Sequence, residues 1–132
     1  MVPAAAIDGN GHVNNVEYVR WMQEIAKSHA DACGGATVVE SLGAAWVVRS
    51  HHIEYLKPLR EGDGVTIRTW VDRFDRVTSI RRYELIMAAT GALVARGETK
   101  WVLIDVQSGR PRAITRELAA CFGVGPDETP AD

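Results

Sequence analysis

The feature that most constrains this chain is a change of hydrophobic period partway along it. Tyr18, Val19, Met22, Ile25, Ala26 and His29 recur at three- and four-residue spacing. From Trp46 onward, apolar residues alternate with polar ones instead. The first pattern lays one apolar stripe along a helix, and the second puts one apolar face on each strand of a sheet. A segment written for one period cannot bury its apolar side in the other.

The helix has its own signals. Asn14 is a good N-cap, and Glu17 three residues later suggests a capping box. Arg20 and Glu24 stand at i,i+4 and can pair. Gly34-Gly35 stops the element. One helix of roughly 18 residues is therefore predicted. Before it, the small apolar residues Val2 to Ile7 suggest a short strand.

Four longer strands follow. Trp46 to Leu56 is ended by Pro58, and Glu61-Gly62-Asp63-Gly64 is a turn. Val65, Ile67 and Val71 alternate with Thr66, Arg68 and Asp72. The run Val77 to Ala89 puts Tyr83, Leu85, Met87 and Ala89 on one face, and Gly91 marks a turn. Finally, Leu93, Ala95, Thr99, Trp101 and Leu103 oppose Arg96, Glu98 and Lys100. Consecutive strands with tight turns argue for an antiparallel sheet. Its apolar face needs cover, and the striped helix is the only large cover that the pattern supplies. The fold class is α+β, with no element read between Cys33 and Trp46.

At 132 residues, this is the length of one domain, read as residues 1–122 with a loose tail over 123–132. The net charge of −2 excludes a strongly basic nucleic-acid clamp and a polybasic membrane anchor on global charge. No apolar run approaches the roughly 18 residues of a membrane span. No basic segment leads into an apolar stretch at the start, so a cytoplasmic protein is expected. Cys33 and Cys121 lie far apart and match no zinc-ligand spacing; they read as reduced thiols, and no metal is expected.

The densest chemistry lies between Asp8 and Asn15, just before the helix. Asp8 can act as a general base or a nucleophile. His12 can position, polarise or shuttle a proton. The free N–H groups and positive dipole end of the helix can hold a carbonyl becoming an oxyanion. The ordinary structural alternative is that Asp, Asn and Gly here only make a turn and a cap. The arginines Arg73, Arg76, Arg81 and Arg82 read as a solvated edge able to meet phosphates. His51-His52 point to opposite strand faces, and His29 lies on the polar edge of the helix stripe.

The segment Asp8-Gly9-Asn10-Gly11-His12-Val13-Asn14-Asn15-Val16-Glu17-Tyr18 resembles the opening motif of hotdog-fold acyl thioesterases, in particular the 4-hydroxybenzoyl-CoA thioesterase-like branch. The Asp8, Asn10 and His12 spacing is also similar to that of plant acyl-carrier-protein thioesterases. Ile53 to Pro58 with Gly62-Asp63, Asp72 to Ser79, and Trp101 to Asp105 with Gly109 to Arg112 continue the likeness. The resemblance covers about residues 5 to 118. It implies a hotdog fold, an antiparallel sheet wrapped around one long helix.

It also implies an acyl-CoA thioesterase. Asp8 falls on the family's catalytic carboxylate, and Asn15 on its polarising backbone N–H. His12, Asn10 and Asn14 match polar residues around that site, and Arg76 and Ser79 lie near its coenzyme A contacts. No cofactor is implied, because coenzyme A enters as part of the substrate. A homodimer or homotetramer binding an acyl-CoA or acyl-carrier-protein thioester, with no nucleic-acid or membrane partner, is expected. Two departures stand out. Ala6 occupies a position where the family often has a second acid, and Pro58 falls near the further acid of the plant enzymes. The rival readings are a hotdog enoyl or 3-hydroxyacyl thioester hydratase, and a non-catalytic acyl-CoA-binding or structural dimer. The hydratase motif spaces its Asp and His five apart, against four here.

Overall fold

The computed structural model describes residues 1–123, so most of the tail predicted over 123–132 lies outside the described residues. Helix α1 spans Asn15–Cys33 and α2 spans Gly35–Ser41. Four strands follow: β1 Ala44–Tyr55, β2 Val65–Phe74, β3 Thr78–Met87 and β4 Leu93–Asp105. Helix α3, Arg116–Cys121, closes the described chain. The strands form one antiparallel sheet in the order β1-β4-β3-β2, with α1 packed on one face. This is the hotdog arrangement.

α1 forms where its periodicity predicts. Asn14 is its N-cap: the side-chain oxygen accepts from the Val16 N–H at 3.1 Å. The capping box does not close, because the Asn14 N–H donates to the Ala6 carbonyl. Arg20 pairs back to Glu17 at 3.6 Å rather than forward to Glu24. Gly34, at φ +87°, ends the helix in the left-handed conformation that glycine adopts without steric cost. Tyr18, Met22 and Ala26 make the buried stripe. Met22 reaches Gly97 of β4, where an added Cβ would lie 2.8 Å from the Met22 methyl. Helix and sheet approach closely because that residue has no side chain.

β1 and β2 lie at opposite edges of the sheet, so residues 56–64 cross from one edge to the other. Leu59, fully buried, anchors this crossing, and its carbonyl accepts from the Val13 N–H at 2.8 Å. The N-terminal segment follows the same path: Val2 exchanges backbone hydrogen bonds with Gly62 and Asp63. The strand expected over Val2 to Ile7 does not form. Ala4–Ala6 make a 3-10 turn instead, with the Ala6 and Ile7 N–H groups bonding back to Pro3 and Ala4. These bonds use the donors that a strand would have offered to a neighbour. Ala89, read as a β3 residue, sits in the turn after Met87.

The core falls into two apolar clusters. One gathers α1, Leu59, Tyr83, Leu85 and Ala95; the other gathers Val39, Phe74, Leu103, Ile114 and Leu118. Along β3, Ser79 and Arg81 face the cross-strand partners Trp101 and Thr99 of β4. Ser79, Arg81 and Thr99 are all buried, and they form a polar seam across the helix-facing side of the sheet. Both cysteines are free thiols.

Candidate active site

Asp8 to Asn15 form a small self-supporting loop in front of α1. Ile7 bridges Val13, and the Asp8 N–H donates to the His12 carbonyl at 2.8 Å. Asp8 Oδ1 accepts the N–H groups of Asn10 and His12 at 2.8 and 3.3 Å. This is the local turn chemistry expected of Asp. Gly11, at φ +78°, supplies the left-handed residue the bend needs. The turn occupies one carboxylate oxygen. The other, Oδ2, has no hydrogen bond to any described residue.

The loop, the start of α1 and the end of β1 enclose a cleft of about 230 Å³. Asp8, His12, Asn15, Tyr18, Tyr55 and Lys57 line it. Three of the predicted site residues, Asp8, His12 and Asn15, are thus brought together. Asn15 is the first residue of α1, and its N–H makes no hydrogen bond among the described residues. It is one of the four N–H groups that a helix start leaves open. The dipole of a 19-residue helix stands behind it.

Asn10 and Asn14 do not line this cleft. Asn10 donates its backbone N–H to Asp8, and the Asn14 side chain is spent on the cap. Arg76 is exposed between β2 and β3, and Ser79 is buried beneath the far half of α1; neither lines this cleft.

Tyr55 is a site residue that the motif at Asp8 does not mark. Its hydroxyl donates to the Asn15 carbonyl at 3.3 Å, and its ring meets Tyr18 edge-on at 4.9 Å. Burial pushes the Tyr18 phenol above its ordinary pKa, so it stays neutral near pH 7. The segment Ile53 to Pro58 was the only signal for Tyr55, and the alternation of β1 alone cannot bring that strand's end to the helix start.

A hotdog domain with an acid, a histidine and an open helix N-terminus in one cleft defines a class, and the comparisons with known proteins agree with it. Residues 1–122 match the acyl-ACP thioesterase N-terminal domain, and the chain belongs to that family. It is 30 % identical over 104 residues to oleoyl-acyl carrier protein thioesterase 2 of Arabidopsis thaliana, covering 74 % of this chain and 28 % of the plant protein. The chain spans under a third of the length of the curated relatives it matches. Escherichia coli YbaW, described as a probable thioesterase, superposes with a TM-score of 0.85 at 22 % identity, over 91 % of this chain and 90 % of that one. A 1,4-dihydroxy-2-naphthoyl-CoA thioesterase from Synechocystis superposes at 0.82 and 18 % identity, over 93 % and 91 %. At these identities the two structures bear on the fold alone.

Proposed function

We propose that this chain hydrolyses an acyl thioester of coenzyme A or of an acyl carrier protein to the free acid and the thiol. The observation that carries the reading is the meeting of Asp8 and the free Asn15 N–H in one cleft at the start of α1. The thioester carbonyl oxygen accepts from that N–H, where the helix dipole favours developing negative charge. Asp8 Oδ2 takes a proton from water as the water oxygen attacks the carbonyl carbon. The C–S bond then breaks, and the thiolate takes back the proton that Asp8 received, which restores the carboxylate. The same carboxylate can instead attack the carbonyl carbon, expelling the thiolate as the C–S bond breaks, and form an anhydride that water cleaves to the free acid and the Asp8 carboxylate, the water proton going to the thiolate. His12, on the cleft wall, orients the attacking group. Asn10 and Asn14 hold the loop and the cap that set this geometry.

A second copy of the chain fits the reading. β1 is an edge strand, and Val47 and Val48 are exposed on it. Unpaired strand edges are templates for pairing with another chain. A homodimer joined there, or a tetramer built from such dimers, leaves the exposed Arg76 to meet coenzyme A phosphates at a neighbouring cleft. Ser79 then belongs to the wall beneath the far half of α1. Among the described residues, no helix is long and apolar enough to cross a membrane. The cytoplasm is the compartment in which this reading places the reaction.

The test is thiol release by the purified chain over a panel of acyl-CoAs from acetyl to palmitoyl, aromatic acyl-CoAs, and acyl carrier protein loaded with the same acyl groups. Saturable release from at least one substrate is expected. Release from none, together with hydration of an enoyl thioester, would replace the thioesterase by a hydratase.

A further inference from the structure

A cavity of about 410 Å³ lies beneath the far half of α1, bounded by α2, the sheet and Phe122. It shares no lining residue with the cleft at Asp8. Its walls are mainly apolar, including Ala26, Val39, Ala44, Trp46 and Val71. Lys27, Asp31 and Glu40 also line it, but all three are exposed, so they stand at its mouth. In its depth is one buried cation, Arg81, which is 4 % exposed.

Arg81 has no carboxylate within ion-pair distance among the described residues. Its Nη1 bonds His29 Nδ1 and Thr69 Oγ1, each at 3.0 Å. Its guanidinium carbon lies 5.6 Å from the centre of the Phe122 ring. Burial, with the Arg81 charge second, holds the His29 pKa below its ordinary value, so His29 is a neutral acceptor here. Neither neighbour supplies negative charge. Nε and Nη2 make no hydrogen bond to any described residue. These two N–H groups form one edge of the guanidinium, spaced to meet both oxygens of a carboxylate. An uncompensated buried cation is costly, and a bound anion removes that cost.

We propose that this cavity binds the carboxylate of an aliphatic acid, with the head group on the Nε–Nη2 edge of Arg81 and the chain against the apolar walls. One positive charge with no carboxylate partner among the described residues matches one negative charge. A phosphate dianion would leave a charge uncompensated in an apolar setting. The volume falls within the roughly 300–1,000 Å³ of small-molecule pockets. The site stands whether or not the cleft at Asp8 hydrolyses thioesters.

Octanoate and octan-1-ol are the probes, titrated calorimetrically into the wild-type chain and into Arg81→Met. Intrinsic tryptophan fluorescence, to which Trp46 and Trp101 of the cavity wall contribute, reports binding in wild type and in the variant. Octanoate is expected to bind saturably with a tryptophan response, at least tenfold tighter than octan-1-ol. Arg81→Met should weaken octanoate at least tenfold and leave octan-1-ol within threefold. No saturable octanoate binding, equal affinity for acid and alcohol, or undiminished octanoate binding by Arg81→Met would each overturn the proposal. If that variant does not fold, the acid–alcohol comparison in the wild-type chain decides alone.

Discussion

The two hollows along α1 are built in opposite ways. The cleft at its N-terminus takes most of its polar groups from one continuous segment, Asp8 to Tyr18, held by bonds within that segment. The cavity beneath its far half takes residues from α1, α2, all four strands and Phe122 beyond α3. The first offers one unspent backbone N–H, that of Asn15, and a carboxylate; the second offers one buried cation among apolar walls. Between them α1 packs solidly, with Tyr18 and Met22 buried against the sheet. A local motif can fix the geometry of a site before the rest of the fold forms. A composite cavity exists only when every wall is in place.

That difference also explains what the sequence reveals. The loop at Asp8 and the cap at Asn14 are legible because short-range bonds between neighbouring residues make them. The strands are legible because one side of the sheet is buried. Helices α2 and α3 are not. Gly-Ala-Thr-Val-Val-Glu-Ser is short and rich in β-branched residues, which are indifferent helix formers. α3 has six residues and is fixed by its Thr115 cap and by packing of Leu118 and Ala119. Arg81 is the instructive failure. Read beside Arg73, Arg76 and Arg82 it looks solvated, and Arg82 does pair with Asp72 and Glu98 at the surface. Yet alternation along β3 puts Arg81 on the same face as Tyr83 and Leu85, where it is buried. The sheet's period outweighs the charge run, because the pleat decides which face a side chain takes.

The contrast can be broken at either end. Asn15→Pro removes the free N–H while keeping a residue favoured at the first helical position; Asn14 already has the extended backbone that precedes proline. Thiol release should fall about a hundred- to thousandfold, with unchanged helix content by circular dichroism. Unchanged turnover would remove the helix N-terminus from the chemistry. In the packed wall between the hollows, Met22→Ala should cost about 2–5 kcal/mol in chemical denaturation. A loss under about 1 kcal/mol would mean that the two hollows are not separated by a solid core.

Smaller changes sharpen the comparison. Asn14→Ala should cost about 1 kcal/mol by the same denaturation measurement, because it frees the Val16 N–H. His29 tests the far half. Its folded pKa lies below the ordinary 6.5, through burial first and the Arg81 charge second. The folded state therefore binds fewer protons than the unfolded one. Its contribution to stability is present above about pH 6.5 and is lost as pH falls below that value. Between pH 7 and pH 5 the melting temperature of His29→Gln should fall less than that of the wild type. Equal falls would mean that His29 is not held neutral beside Arg81.

The central claim rests on one carboxylate, and Asp8→Asn tests it most directly. Asparagine keeps a side-chain oxygen for the Asn10 and His12 N–H groups, so the loop should survive and the melting temperature should hold. Thiol release from the best substrate of the panel should fall at least about a hundredfold, since a general base contributes on that order or more. Turnover within threefold of the wild type, in a variant that melts at the same temperature, would contradict the account.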